Sequence, residues 1–311
     1  MRILFFGSPE FAVPTLRALV ESAHTIVGVV TQPDRPRGRG QRVTRGAVAA
    51  AAEALGLPLL QPARLADPGV ADALAAGRAD LGVVAAYGKI LPEWLLALPP
   101  GGMVNVHASL LPKYRGAAPV HRAVMAGDAE TGVTIMRVVK ALDAGPMLAR
   151  AVVPIGPDET SADLERAIGA AGAALLVQVV NRLADGPVTE DVQDDSAATY
   201  AAKITRADSA VEWRRSAQAI HDHIRGLHPW PHASSVLAGR RVILHRSTRH
   251  DGPHAAAPGY VHASGPAGID VVAGDGAIVR LLTLQAEGGR GVRAVVTRAA
   301  VQDLSLIHIS E

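Results

Sequence analysis

The chain has 311 residues, of which 49% are hydrophobic and 19% are charged, enough for two globular domains with real cores. It contains no cysteine, so disulfides and thiolate metal sites are excluded. The net charge is only +2, but residues 203–311 carry 13 Lys and Arg against 9 Asp and Glu, with nine of the 12 His. This basic second half suggests an anionic partner, while a GC-rich genome would explain the Arg and Ala content equally well.

The first half alternates apolar, strand-like runs with helical runs rich in Ala and Leu. Continuous apolar strands between helices indicate a mostly parallel sheet covered on both faces. We therefore expect an α/β fold whose first domain is Rossmann-like. The expected strands are 2–6, 25–31, 81–86, 102–107, 131–139 and 147–155, and the expected helices include 47–55 and 161–184.

After residue 187 the pattern changes. A polar stretch without an apolar period predicts a linker over 188–206, between a first domain at 1–187 and a second at 207–311. One short helix, 216–227, is followed by short β runs separated by Gly, Pro and Asp turns. This spacing predicts a small OB-like β-barrel, a topology that often holds nucleic acid.

The start of the chain, "MRILFF", is strand-like and lacks the layout of a signal peptide. No uninterrupted apolar run approaches the ~20 residues that cross a bilayer. We expect a soluble, cytoplasmic protein that does not associate with membranes.

The segment "NVHASLLPKYRGAAP" (105–119) ends an apolar strand with two polar side chains. Asn105 and His107 are two residues apart and therefore share one face of the strand. Pro112 and Gly116 then stop the strand, so the pair lies where open α/β sheets bind ligands. A lone histidine at a strand end is more often structural, but the neighbouring residues favour a functional site here.

A third polar residue, Asp143, stands in a Gly-containing loop after the next strand-like run. An Asp–Ala–Gly sequence can be a simple turn. Together, however, an amide, an imidazole and a carboxylate suit acyl transfer by direct attack of a substrate amine. The amide and the imidazole can stabilise an oxyanion, and the carboxylate can orient the imidazole. The chain has no G-x-S-x-G nucleophile elbow.

Several motifs in order along the chain make the reading more specific. "NVHASLLPKYRGAAPVHRA" is followed by "GDAETGVTIMRVVKALDAGPML", and "GSPEFA", "TQPDRPRGRGQ", "VVAAYGKILP", "HPWP" and "GDGAIVRLLTLQ" occur elsewhere. This set resembles the formyltetrahydrofolate-dependent formyltransferases over residues 1 to about 300. The resemblance implies transfer of the formyl group of 10-formyltetrahydrofolate to the α-amine of methionine on initiator tRNA, in translation initiation.

The resemblance also assigns residues. The catalytic trio would be Asn105, His107 and Asp143. The folate would lie against Ser109, Leu110, Leu111 and Pro112, and against the main chain around Tyr87 and Gly88. The basic loop "PDRPRGRGQRVTR" (33–45) would bind the tRNA acceptor end through phosphate contacts, with Arg42 as the first choice within it. A solvated charged loop is the alternative. Its expected tRNA-binding residues are Arg35, Arg39, Arg42 and Arg45.

Two alternative functions would use the same catalytic domain to formylate a different amine. A glycinamide ribonucleotide formyltransferase would lack the second domain, whereas an amino-sugar formyltransferase also carries a small second domain. A non-catalytic RNA-binding module is disfavoured by the intact trio. We expect no metal in the reaction and a monomeric enzyme. The ending "SLIHISE" (305–311) departs from the family, and we interpret it as foreign to the native protein.

Overall fold

A computed structural model describes residues 1–37, 42–237, 239–252, 254–286 and 292–293. Contacts divide the chain into two compact units. The first comprises residues 1–116, 132–153 and 165–200, and the second comprises 117–131, 154–164 and 201–311. Two segments that precede residue 187, the expected end of the first domain, therefore belong to the second unit. The ending at 305–311, which we interpret as foreign to the native protein, lies outside the described residues.

The helices of the described chain are seven α-helices and three short 3₁₀ helices. The α-helices are α1 (Val13–Val20), α2 (Ala47–Ala54), α3 (Val70–Ala76), α4 (Glu93–Leu96), α5 (Pro119–Ala126), α6 (Ser161–Asp185) and α7 (Ala217–Gly226). The 3₁₀ helices are Glu10–Ala12, Asp195–Ala197 and Arg206–Ser209.

The strands follow the expected apolar runs, with several short additions. Up to residue 201 they are β1 (Arg2–Gly7), β2 (Thr25–Val30), β3 (Arg35–Arg37), β4 (Arg42–Thr44), β5 (Leu59–Leu60), β6 (Leu81–Ala85), β7 (Met103–His107), β8 (Arg115–Gly116), β9 (Glu130–Arg137), β10 (Met147–Pro154) and β11 (Tyr200–Ala201). Beyond it they are β12 (Ala233–Leu237), β13 (Arg240–His250), β14 (Val261–Gly265), β15 (Gly268–Val272), β16 (Ile278–Ala286) and β17 (Val292–Arg293).

A seven-stranded sheet organises the first unit in the order β10-β9-β7-β6-β1-β2-β5. The pairs from β7 to β5 are parallel, whereas β9 runs antiparallel to β7, with His107 opposite Thr134. The central strand β1 is almost entirely buried because both faces of the sheet are covered. The expected mostly parallel α/β sheet is confirmed, and the carboxyl ends of β6 and β7 are adjacent.

Helix α6 is long and apolar enough, by length and composition alone, to cross a membrane. Its contacts are those of a core helix. A Cβ added to Gly172 would lie 2.9 Å from a side-chain atom of Val106 and 3.1 Å from one of Val133 in the sheet. Leu176, Val179 and Val180 on the same helix are fully buried. The absence of a side chain at Gly172 therefore lets the helix approach β7 and β9 closely.

The second unit contains an antiparallel sheet in the order β12-β13-β16-β15-β14, with β17 paired to β16. One core joins this sheet to α7, with Ile220, Ile224 and Trp213 fully buried against Leu244 and Val279. The expected short strands are present. Within the described ranges the strands do not close into a barrel, so an antiparallel sheet is established and OB-type closure stays a prediction.

Candidate active site

His107 ends β7 with both ring nitrogens facing oxygen atoms. Its Nε2 lies 3.0 Å from the carbonyl oxygen of Tyr114, and its Nδ1 lies 3.7 Å from Oδ2 of Asp143. The imidazole is 5% exposed, so these oxygens are its principal polar surroundings. The structure therefore brings together two of the three expected catalytic residues, although they are 36 positions apart in the sequence.

Asn105 is partly buried on the same strand and pairs in register with Met136 of β9 and Val84 of β6. Because side chains alternate along a strand, it projects to the same face as His107. The flanking Val104 and Val106 are buried toward the other face. The strand thus presents an amide and an imidazole side by side at its carboxyl end.

Asp143 occupies a left-handed backbone conformation, with φ of 48°. Such a conformation is uncommon outside glycine but tolerated by Asp. Its Oδ2 accepts a hydrogen bond from the Gly116 N–H at 2.8 Å. The Gln193 amide donates to the carbonyl oxygens of Asp143 at 2.8 Å and Gly145 at 2.7 Å. These contacts hold the carboxylate beside the imidazole.

Gln193 is a site-supporting residue that the sequence analysis missed. It lies in the stretch predicted as a linker, yet it is 6% exposed. Its Oε1 accepts two hydrogen bonds from the Arg115 guanidinium, at 3.0 and 2.8 Å. Arg115 also pairs with Asp195 at 2.7 Å. The segment belongs to the first unit as far as Tyr200, and no apolar period in the sequence signals that packing.

The expected folate segment follows His107 and is braced from β9. The hydroxyl of Thr134 donates to the Ser109 carbonyl at 2.7 Å and accepts from the Leu111 N–H at 3.1 Å. Leu111 is 1% exposed and packs with Met136 and Met147. Ser109 is also buried, whereas Leu110 and Pro112 are half-buried. Thr134, another residue missed from sequence, therefore fixes the shape of this loop.

The expected contact at Tyr87 and Gly88 lies at the carboxyl end of β6. The Tyr87 ring is 1% exposed and stacks edge-on against Phe6, and burial raises the pKa of its phenol. Its carbonyl accepts hydrogen bonds from Gln32 at 2.8 Å and Ser8 at 3.3 Å. Gly88 has a φ of 75°. The Tyr87 side chain is thus a core residue, which leaves the main chain for any ligand contact here.

The basic segment expected as a loop contains an antiparallel pair, β3 with β4. Arg35 donates to the Gln32 side chain at 2.8 Å. Arg45 is held by Asp34 at 2.8 Å, by Gln61 at 2.7 Å and by Glu53. Arg39 and the side chain of Arg42 lie outside the described residues. Arg45 is therefore committed to ion pairs within the protein.

Asp34 anchors the base of this hairpin. Hydrogen bonds from the Arg45 side chain, the Gly46 N–H and the Gln61 amide lower the pKa of its carboxyl from 3.8 to about 2. Each of these donors favours the ionised form. The hairpin formed by β3 and β4 is thus tied electrostatically to the start of α2.

Two family models match the chain in order. Residues 1–180 match the model described as formyl transferase, and residues 203–297 match the formyl transferase C-terminal domain. The methionyl-tRNA formyltransferase of Methylococcus capsulatus is 44% identical, over 94% of this chain and 95% of that protein. That of Xanthomonas euvesicatoria pv. vesicatoria is 44% identical over 99% of this chain and 100% of its own.

Among solved structures, the sugar 3N-formyl transferase WlaRD, determined in the presence of dTDP and 5-N-formyl-THF, aligns with a TM-score of 0.68. The alignment covers 90% of this chain and 97% of that one at 15% identity, so it shows a shared fold alone. The family models cover both halves, and the curated relatives align over nearly the whole length. The chain therefore belongs to the formyl transferase family.

Proposed function

We propose that this chain transfers the formyl group of 10-formyltetrahydrofolate to the α-amino group of methionine on initiator tRNA. The observation that carries the proposal is the 44% identity with methionyl-tRNA formyltransferases over 94% of this chain or more. That match extends through the second half, which a formyltransferase acting on glycinamide ribonucleotide would not need. It fits a bacterial enzyme of translation initiation that works in the cytoplasm.

The neutral amine attacks the formyl carbon, and the carbonyl oxygen gathers negative charge. Asn105 and a protonated His107 supply hydrogen bonds to that oxygen, and each such donor contributes about 3 to 4 kcal/mol to lowering the barrier. The C–N10 bond then breaks, and N10 takes up a proton as the attacking amine loses one. No covalent enzyme intermediate is needed, since the substrate amine is the nucleophile.

The surroundings of His107 support this role. Tyr114 offers a carbonyl oxygen to Nε2, and the Asp143 carboxylate faces Nδ1, so an oxygen atom lies near each ring nitrogen. The 3.7 Å separation from Asp143 exceeds a hydrogen bond. The Nδ1–H can therefore turn to a substrate oxygen while the carboxylate still stabilises the cation. Asp143 also receives the proton of the amine, directly or through water.

The folate would lie along Ser109, Leu110, Leu111 and Pro112 and against the main chain of Tyr87 and Gly88. Ser109 and Leu111 face inward, so Leu110, Pro112 and main-chain groups are the surface left for the pterin. A loop braced by Thr134 costs little ordering entropy when it binds a flat ring. No metal is required for this chemistry.

The tRNA would be held by the hairpin β3–β4 and by the second unit, whose sheet we expect to complete an OB-type barrel. Arg35, Arg39, Arg42 and Arg45 concentrate positive charge on a segment without an aromatic residue, which favours phosphate contacts over base stacking. Arg45 serves mainly to position the hairpin. We expect a monomer.

One assay tests the proposal against its rivals. Purified enzyme is given 10-formyltetrahydrofolate with charged initiator tRNA, with glycinamide ribonucleotide or with a nucleotide-linked amino sugar, and formylated product is measured by mass spectrometry. Formylation of the methionyl-tRNA at a rate well above the other two supports the proposal. Preferred formylation of either small amine refutes it.

A further inference from the structure

Three histidines of the second unit bring one ring nitrogen each to within 4.8 Å of the other two. His228 and His232 flank the Pro–Trp–Pro sequence after α7, and His245 lies in β13. The ring centroids of His228 and His232 are 5.1 Å apart, and those of His232 and His245 are 4.5 Å apart. Because the third ring comes from a distant strand, sequence spacing alone gives no sign of this cluster.

Two of these rings have a buried nitrogen without a hydrogen-bond partner. Nδ1 of His228 and Nδ1 of His232 are inaccessible to solvent, and no described residue donates to or accepts from them. Leaving a buried polar atom unpaired is unfavourable. A bound metal ion is one partner that would satisfy such a nitrogen.

The third ring is oriented for ligation. Nε2 of His245 lies 3.1 Å from Oε1 of Gln285, an atom that can only accept. The hydrogen therefore sits on Nε2, and Nδ1 keeps its lone pair. Metal-bound histidines characteristically donate their other N–H to such an oxygen, which fixes the tautomer and the plane of the ring.

The charges around the cluster are mixed. Arg246 disfavours positive charge at His228, whereas Asp163 favours it. Neutral nitrogen ligands with few carboxylates suit a borderline transition-metal ion better than Mg²⁺ or Ca²⁺, which prefer oxygen. Nitrogens bound to Zn²⁺ at about 2.0 Å lie roughly 3.4 Å apart in a tetrahedral site, so small ring rotations complete the geometry.

We propose that His228, His232 and His245 bind one Zn²⁺ ion, with a fourth position open to water. The ion would satisfy both orphan nitrogens and tie the segment after α7 to β13. Its role is local stabilisation of the second unit, separate from formyl transfer. The inference does not depend on the proposed function, because it rests on the cluster alone.

The test uses the full chain without a histidine tag, freed of metal by a chelator and titrated with ZnCl₂ by calorimetry. We expect one equivalent to bind and the unfolding temperature to rise with free Zn²⁺, as mass action requires for a ligand of the native state. His232→Asn removes a ligand while keeping a residue that tolerates the φ of 65° at this position. His245→Ala removes a second ligand without touching that turn.

Both ligand variants should lose the one-equivalent binding and the thermal shift. Gln285→Leu should weaken binding about 10- to 100-fold by removing the outer partner of His245. His262→Ala is the matched control, since His262 is exposed and its ring contacts only one other described histidine ring, His254, at 4.2 Å. Equal zinc affinity in wild type and His245→Ala, or loss of binding in His262→Ala, would overturn the proposal.

Discussion

The carboxylate of Asp143 has two partners at once: its Oδ2 accepts the Gly116 N–H at 2.8 Å and lies 3.7 Å from Nδ1 of His107. The first contact is a hydrogen bond that fixes the loop, and the second is a charge interaction across a slightly longer gap. One oxygen thereby couples the shape of the loop after His107 to the electrostatics of the imidazole. Substitutions that separate the two effects are informative.

Asp143→Asn makes that separation. The amide oxygen of Asn can still accept from Gly116, whereas the negative charge beside His107 is gone. We expect kcat to fall about 10²- to 10⁴-fold, the usual range for losing proton-transfer assistance. The KM values for folate and tRNA should change little, because the lost interaction acts on the transition state. Asp67→Asn, at a carboxylate paired with the exposed Arg64, is the control in steady-state assays.

Near-normal turnover of Asp143→Asn would show that the negative charge of Asp143 plays no part in the mechanism. A loss confined to KM would point instead to substrate positioning. Unchanged circular dichroism and unfolding midpoint are needed for either conclusion, and the retained bond to Gly116 is the reason to expect them.

Gln193→Ala tests the support behind Asp143. The Gln193 amide bonds the carbonyls of Asp143 and Gly145, and its oxygen receives the buried Arg115. Its removal leaves buried groups unpaired, which costs about 1 to 3 kcal/mol of unfolding free energy. We expect kcat to fall as well, because Asp143 is no longer held, while folate affinity is retained.

The matched control is Gln178→Ala, at an exposed position of α6. Urea unfolding and a kcat-against-KM comparison distinguish the two positions. Full kcat in a measurably destabilised Gln193→Ala protein would limit Gln193 to a structural role.

The first unit could be predicted from sequence to a large extent. Unbroken apolar runs such as 81–85 have few alternatives to a buried parallel strand, and the paired Asn105 and His107 follow from strand alternation. The supporting contacts could not be predicted. Gln193 and Thr134 act through single hydrogen bonds to distant carbonyls, and neither a period nor a composition marks such a residue.

The hairpin and the histidine cluster illustrate the same limit. The glycines and prolines of the basic segment favour a loop, yet β3 and β4 pair across it. His228 and His232 are separated by prolines, which excludes a helical ligand pair, and the approach of His245 depends on how β13 packs. Tertiary packing, rather than local pattern, brings these residues together.

Gly145→Ala should damage the same loop by a steric route. A Cβ at this position would lie within 2 Å of the Arg137 backbone carbonyl oxygen, at 1.9 Å, so no side-chain rotation relieves the contact. We expect about 1 to 3 kcal/mol of destabilisation and reduced turnover as the loop holding Asp143 moves. Gly265→Ala, whose Cβ meets nothing within 4 Å, is the control. An equal effect of the two substitutions on the unfolding midpoint would contradict this packing.

Arg42→Ala tests phosphate contact by the hairpin. We expect the KM for methionyl-tRNA to rise while the folate KM stays constant. The slope of log affinity against log salt should become shallower by about 0.7 to 0.9 for one lost contact. Arg64→Ala is a charge-matched control at a side chain that is 83% exposed. A rise in the folate KM alone, or an unchanged salt slope, would count against tRNA contact at this residue.

Asp34→Asn tests the electrostatic anchor of the hairpin through pH. The pKa of Asp34 falls from its ordinary 3.8 to about 2 in the folded protein, because Arg45, Gly46 and Gln61 donate to it. A carboxyl group whose pKa is lower in the folded protein stabilises the fold at pH values above its pKa in the unfolded chain. That contribution is lost as the pH falls toward its pKa in the folded protein. The wild type should therefore exceed Asp34→Asn in stability by a constant margin near neutral pH, and the margin should shrink between 3.8 and about 2. Urea unfolding of both proteins at about pH 6 and about pH 3 measures this margin.

Asp67→Asn is the comparison variant. Its stability margin should shrink at low pH in the same way, because hydrogen bonds from Arg64 also lower the pKa of Asp67. A margin for Asp34→Asn that is the same at both pH values would mean that Asp34 ionises alike in the folded and unfolded chain, and that Arg45 holds the hairpin through Glu53 instead.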